Sequence, residues 1–219
     1  MLLHLVKKDF LLVKKYLPLF VILPFAIPLL IMIQASHLTQ VSQFLGLIAF
    51  VLSVIFAVFM LYQYVLMAEM KYPKAEALLC STPYSRSALV KARYAFLLLI
   101  FAYCCVAYNL LALLFAKIEY LTPFSYLIAL LISVILFGVY TPLQYKLGFE
   151  KTKYFFMILI MGSPFSLTLL IKANIKLDFT RFSAMPMFVQ YLIPIVAIIA
   201  ILFISMKVSI KIYLKKELI

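Results

Sequence analysis

The chain has 219 residues, of which 68% are hydrophobic and only 12% charged, whereas an ordinary globular domain is about 45–50% apolar and about 25% charged. No compact soluble fold of this length could hide so much apolar surface, so the composition predicts a membrane protein without a separate soluble catalytic domain. The net charge of +13 does not indicate a nucleic-acid partner, because the basic residues lie between apolar runs, where anionic lipid and membrane insertion explain them.

The first seventeen residues predict an amphipathic helix. At 100° per residue, Lys7, Lys8, Lys14 and Lys15 fall on one face, and most of the leucines and valines lie away from that face. Two interpretations are open. The segment is either an interfacial helix that lies flat with its lysines among the lipid headgroups, or an ordinary basic anchor that precedes the first span.

Six apolar stretches are long enough to cross a membrane, which takes about 20 residues of helix. They are residues 16–33, 44–67, 94–116, 124–143, 154–171 and 187–206. The first and fifth are short and contain prolines, which free backbone carbonyls that neighbouring helices must satisfy. The sequence therefore predicts an all-α polytopic membrane protein with six transmembrane helices in a single domain, 1–219.

Basic residues are unevenly distributed between the connecting segments. Sixteen lysines and arginines lie in residues 1–15, 68–93, 144–153 and 207–219, and only four lie in the segments between them. Because cytoplasmic loops carry the excess of basic residues, this bias places both termini in the cytoplasm. An even number of spans requires the same arrangement.

The loop between the second and third spans has twenty-six residues, many more than a tether needs. Two prolines enclose a short helix in this loop, which presents Leu78 and Leu79 together with Glu76 and Arg86. Ser85 can cap a second helix that continues into the third span. Leucines on such a loop contact either a partner protein or the membrane surface, and the residues alone favour both readings almost equally.

The same loop carries an E-x-LL-x-S-x-P-x-S-R element. Its residues are Glu76, Leu78, Leu79, Ser81, Pro83, Ser85 and Arg86. Together with the N-terminal LVKKDFLLVKKY and the six spans, this element resembles the compact type-2 ATP-binding-cassette (ABC) transporter permeases of bacteria. The resemblance implies that the element is a coupling helix, seated in a groove of a cytosolic ATPase that binds the ATP and Mg²⁺. It also implies that two permeases pair, as a homodimer or a heterodimer.

Members of that family export antimicrobial or toxic peptides, lipids, glycans or drugs. The resemblance therefore implies the permease of an ATP-driven exporter in the bacterial plasma membrane, with an amphipathic peptide or toxin as the first substrate class and a lipid or drug as the second. Two alternatives remain open: a six-span substrate-capture subunit for small-molecule uptake, and a non-transporting immunity-type membrane protein.

The sequence gives no indication of an enzyme. It contains no G-x-x-x-x-G-K-[ST] phosphate-binding loop, and neither His4 nor His37 has a carboxylate at metal-ligand spacing. We therefore expect no metal and no cofactor in this chain. No acidic residue lies in the middle of a predicted span, which argues against an ion-coupled carrier.

Polar side chains do occur inside the second and third spans. Gln63, Tyr103, Tyr108 and Asn109 are candidates to line a weakly polar path for an amphipathic substrate. The alternative is that they form hydrogen bonds between helices, which polar groups in hydrocarbon commonly do.

Overall fold

The computed structural model describes residues 2–35, 42–71, 85–115, 118–154, 157–158, 162 and 186–215. Within these residues the regular structure is helical and no strand occurs, as the predicted all-α class requires. Six α-helices have both ends described: α1 (Leu2–Leu12), α2 (Leu17–Ala35), α3 (Ser42–Met70), α4 (Arg86–Leu114), α5 (Pro123–Leu147) and α6 (Met187–Lys215). Residues 149–154 are also helical. A turn of 3-10 helix, Lys14–Tyr16, joins α1 to α2.

Among the described residues, five helical stretches are long and apolar enough to cross a membrane. They are Lys14–Ile31, Leu45–Met70, Arg86–Leu114, Pro123–Leu147 and Met187–Lys215. These stretches correspond to the first, second, third, fourth and sixth predicted spans. The predicted fifth span, 154–171, lies almost entirely outside the described residues, so the count of six stays a prediction.

Two helices extend well beyond their predicted spans. The predictions for the third and sixth spans ended where the apolar run ends, but α4 begins at Arg86 and α6 continues to Lys215. A helix ends at a capping or breaking residue rather than at the edge of the hydrocarbon. Basic side chains on these extensions can therefore reach water while the backbone stays helical.

Capping residues fix the ends of α4 and α5. Ser85 has an extended backbone and its hydroxyl accepts a hydrogen bond from the N–H of Ala88 at 3.2 Å, which confirms the predicted N-cap. Thr122 caps α5 in the same way, with Pro123 at the first helical position. Gly148 ends α5 at φ 80°, a conformation that favours glycine.

An aromatic core joins α3, α4 and α5. The buried rings of Tyr62 and Phe137 lie 5.1 Å apart, those of Tyr94 and Phe137 5.7 Å apart, and those of Phe59 and Tyr140 5.4 Å apart, all edge to face. This arrangement matches the quadrupoles of the rings. Because the core lies toward the end of the helices where the α3–α4 loop begins, it fixes the positions of these helices next to that loop.

We predict that the C terminus lies on the cytoplasmic side. Green fluorescent protein fused after Ile219 should fluoresce, and alkaline phosphatase fused at the same position should be inactive, because the basic bias places both termini inside. Phosphatase fused after Tyr120, in a predicted outer loop, is the control and should be active. Active phosphatase at Ile219 would instead mean an odd number of spans.

Candidate functional site

Four charged side chains from three helices meet at one end of the bundle. Arg93 of α4 lies 2.5 Å from Glu69 of α3 and 3.1 Å from Asp9 of α1, measured between nitrogen and oxygen. Lys8 of α1 lies 3.1 Å from Glu69 and 3.2 Å from Asp9. We call these four residues the ion cluster.

The helix pattern of α1 explains how a carboxylate comes to be buried there. Leu5, Val6 and Val13 are buried, and Asp9 lies one turn after Leu5 and one turn before Val13, on the same helix face. This face packs against α3 and α4, and the ring of Phe10 lies 4.9 Å from that of Phe96, centre to centre, at a tilt of 54°. The apolar residues therefore bring the Asp9 carboxylate to Arg93.

The charges in the ion cluster balance, two positive against two negative. The side chains of Asp9 and Arg93 are only 3% and 8% exposed, and burying either charge alone would cost several kcal/mol. The planar guanidinium can face two carboxylates at once, and it also lies over the ring of Tyr62 at 5.6 Å. Glu69 is hydrogen-bonded to both cations, whereas Asp9 makes charge contacts without aligned hydrogen bonds in the described structure.

The ion cluster lies at the base of the loop between α3 and α4. Glu69 is in the last turn of α3, which ends at Met70, and Arg93 is in the second turn of α4. The contact between them therefore fastens the two ends of this loop together, and Lys8 and Asp9 attach α1 to the same point. A displacement of the loop must move these three helices as a unit or break the ion contacts.

Most of the predicted coupling residues lie outside the described residues. They are Glu76, Leu78, Leu79, Ser81 and Pro83. Arg86 is described, and its guanidinium lies 3.5 Å from the carbonyl of Leu214 near the end of α6, where the helix dipole favours a cation. The coupling role of all six residues stays a prediction.

The four lysines of the predicted basic face do not share one helix or one environment. Lys7 in α1 and Lys14 and Lys15 in the 3-10 turn that follows it are exposed, whereas Lys8 of α1 is half-buried in the ion cluster. The prediction grouped Lys8 with the headgroup lysines because periodicity shows only which face a residue occupies, and Lys8 lies at the border of the two faces. The position of α1 at the membrane surface stays a prediction.

Two of the candidate path residues connect neighbouring helices. Gln63 of α3 is buried and its amide donates to the hydroxyl of Tyr140 of α5. Tyr103 of α4 donates to the carbonyl of Val21 at 2.8 Å, in the turn of α2 that precedes Pro24. Pro24 frees the carbonyl of Phe20, four residues earlier, and not that of Val21. The Tyr103 contact therefore joins α4 to α2 without replacing the hydrogen bond that Pro24 removes.

The other two candidates lie near the opposite end of the bundle. Asn109 donates to the carbonyl of Cys105 in its own helix and accepts from the hydroxyl of Tyr126 at 3.1 Å. Tyr108 donates to the carbonyl of Glu119 at 3.5 Å. Gln63, Tyr103 and Asn109 therefore take part in hydrogen bonds between helices, as the alternative interpretation expected, whereas Tyr108 bonds the connection that precedes α5. The path-lining role of all four stays a prediction.

The four candidates do not converge on one described surface. The Tyr108 hydroxyl lies 2.8 Å from the position that a Cβ on Gly46 would take. Gly46 and Gln63 both belong to α3, and their separation in the sequence corresponds to about 25 Å along a helix. Gln63 and Tyr108 therefore lie at different depths of the bundle.

The sequence analysis missed the ion cluster and a second polar group beside it. Tyr94, the residue after Arg93, has its hydroxyl 2.6 Å from that of Ser205 and 3.0 Å from that of Ser209 in α6. The available signal for the ion cluster was Asp9, an acid within the apolar face of α1. No local signal indicated which basic residue would pair with it.

The chain matches a known protein family over almost its whole length. The model of the family described as ABC-2 family transporter protein matches residues 4–214, a range that includes all four residues of the ion cluster. No curated protein and no solved structure matches the chain.

We predict that Asp9→Asn destabilises the protein by about 3 kcal/mol, near the lower end for removing one partner of a buried ion pair, because Glu69 remains beside Arg93. Unfolding in mixed detergent micelles measures the loss. Glu150→Gln is the matched control, since its contact with Lys153 is 3.6 Å long and exposed and such pairs contribute about 0.5 kcal/mol or less. Equal losses in the two variants would show that Asp9 is not paired as described.

Proposed function

The chain belongs to the ABC-2 transporter family, and on that premise we propose that it is the permease of an ATP-driven exporter. A separate cytosolic subunit hydrolyses the ATP. The observation that carries this proposal is the extent of the family match, residues 4–214, because it covers the membrane spans and the α3–α4 loop together. The sequence supports the proposal that a different polypeptide hydrolyses the ATP, since it contains no G-x-x-x-x-G-K-[ST] phosphate-binding loop.

We further propose that the loop between α3 and α4 docks on the ATPase. Leu78 and Leu79 are its apolar anchors, and Glu76 and Arg86 make polar contacts. Support comes from the ends of the loop. Both flanking helices are long, and the ion cluster joins them just above the loop, so a force on the loop acts on a rigid base.

The proposed mechanism is mechanical transmission. ATP-driven closure of two ATPase subunits displaces the loop, and the contact between Arg93 and Glu69 makes α3 and α4 move together. Asp9 and Lys8 carry α1 with them. Two permeases, either identical or paralogous, then rock against each other in the bilayer and alternate the access to a path between them.

We propose an amphipathic peptide or toxin as the substrate class, with lipids and drugs as the second choice. The polar groups buried between the described spans above the ion cluster are hydroxyls and amides, such as Gln63, Ser133 and Ser205. Such groups suit a molecule with both apolar and polar surface. A carrier of small ions commonly places an ionisable side chain within the membrane instead.

The docking proposal predicts that Leu78→Asp combined with Leu79→Asp abolishes co-purification of the ATPase, because two charges would enter an apolar groove. The variant should still insert and fold. Its insertion is checked by membrane fractionation and its association by a pulldown in mild detergent with mass spectrometry.

A matched control for this experiment is Leu11→Asp, which places an acid on the exposed face of α1, on the same predicted side of the membrane. It should retain the ATPase. Unchanged recovery of the ATPase with the double variant would exclude the loop as the docking site. The absence of any soluble ATPase in the wild-type pulldown would overturn the proposed function itself.

Export predicts ATP-dependent uptake into inverted membrane vesicles that contain the permease and its ATPase. A fluorescent cationic amphipathic peptide should accumulate at least severalfold over vesicles without ATP, and the accumulation should disappear when the phosphate-binding lysine of the ATPase is replaced. Vesicles lacking the permease are the control. Accumulation driven by a proton gradient in the absence of ATP would contradict this mechanism.

A further inference from the structure

A proline removes one backbone hydrogen bond from α5, next to the polar group that Tyr94 forms with Ser205 and Ser209 of α6. Pro142 lies inside α5 and has no N–H, so the carbonyl of Gly138, four residues earlier, loses its helical partner. In a membrane interior such a carbonyl needs another donor. The hydroxyl of Ser205 in α6 lies 2.6 Å from this carbonyl and donates to it.

The surroundings of Gly138 permit this contact. A Cβ at this position would come within 3.3 Å of Ile201 and 3.5 Å of the Ser205 hydroxyl oxygen, so the missing side chain lets α6 approach the backbone of α5. Gly138, Pro142 and Ser205 therefore form one structural unit: the proline frees the carbonyl, the glycine exposes it, and the serine supplies the hydrogen bond.

The direction of the hydrogen bonds extends this unit to α4. A serine hydroxyl has one hydrogen, and that of Ser205 is given to the Gly138 carbonyl. In the 2.6 Å contact between Tyr94 and Ser205, the donor is therefore Tyr94. A continuous chain of hydrogen bonds therefore runs from the hydroxyl of Tyr94 through that of Ser205 to the carbonyl of Gly138 in α5.

We propose that these hydrogen bonds, from Tyr94 through Ser205 to the carbonyl of Gly138, act as one unit, which we call the joint. In the joint, Ser205 replaces the hydrogen bond that Pro142 removes, and α4 controls the bend of α5 through Tyr94. Tyr94 directly follows Arg93, so the helix that is fastened at the ion cluster also holds the joint. This inference deepens the proposed function, on which its transport role rests, by naming where motion of the α3–α4 loop enters the rest of the bundle.

The joint is tested first by a double-mutant cycle on the purified permease. Ser205→Ala should raise the equilibrium constant of unfolding about three- to tenfold, the range measured for hydrogen bonds between membrane helices. In the Pro142→Ala background the effect should be clearly smaller, because the restored N–H donates to Gly138 and Ser205→Ala then removes only the contact with Tyr94. An equal effect of Ser205→Ala in both backgrounds would overturn the proposal.

Ser133→Ala is the matched control for this cycle. Ser133 is another buried serine of α5, but its hydroxyl bonds the carbonyl of Ala129 one turn earlier in the same helix, where no proline removes the backbone donor. Its effect should be smaller and should not depend on residue 142. A dependence on residue 142 as strong as that of Ser205 would also overturn the proposal.

The bend itself is measured with spin labels at Ile128→Cys and Leu147→Cys, on a background in which the three native cysteines are replaced. The labelled positions are about 28 Å apart along a helix. Ser205→Ala should broaden the distance distribution, and adding Pro142→Ala should make it narrow again. If the distances between the two spin labels are distributed identically in the wild type and in Ser205→Ala, the hydrogen bonds of the joint do not fix the bend of α5.

These measurements separate the joint from the proposed function. The unfolding cycle and the spin-label distances use the permease alone, so they do not depend on the identity of any ATPase. Ser205→Ala should also co-purify with the ATPase as the wild type does, since Ser205 belongs to α6 and is not one of the proposed docking residues. Loss of the ATPase from this variant would contradict the placement of the joint after the docking step.

Discussion

The contact between Asp9 and Arg93 determines how this protein is assembled at its basic end. Without Arg93, the Asp9 carboxylate would be an uncompensated charge between helices, and the apolar face of α1 could not pack where it does. Without Asp9, Arg93 would rely on Glu69 alone. The contact joins the first helix to the fourth, so the packing of α4 and the packing of the N-terminal segment depend on each other.

Two consecutive residues of α4 serve different neighbours. Side chains at adjacent positions of a helix point about 100° apart, so Arg93 faces α1 and α3 while Tyr94 faces α5 and α6. The aromatic core, with Tyr62 in contact with both Arg93 and Phe137, fills the space between the two directions. A rotation or shift of α4 therefore changes its contacts with α1 and α3 and, at the same depth of the bundle, its contacts with α5 and α6.

The sequence predicted what depends on neighbouring residues and missed what depends on the fold. The apolar runs predicted five described helices, and Ser85 predicted the start of α4, because hydropathy and capping are local. The ion cluster joins residues 8, 9, 69 and 93, and no local pattern tells that Glu69 and Asp9 share one arginine. Pro142 likewise signalled a missing hydrogen bond, but not that Ser205 would replace it.

The ion cluster and the hydrogen bond between Ser205 and Gly138 differ in the free energy needed to break them. A buried, charge-balanced cluster is costly to separate, because each ion would be left without its partner in a medium of low polarity. A hydroxyl that bonds a carbonyl freed by proline is cheaper to break, by the modest free energy of one hydrogen bond between helices. Under the proposed mechanism, force that enters at the α3–α4 loop would therefore leave the ion cluster intact and break the hydrogen bond at Pro142 first. This order suits a permease driven by an external ATPase, because the connection that receives the force stays whole while the membrane helices change shape.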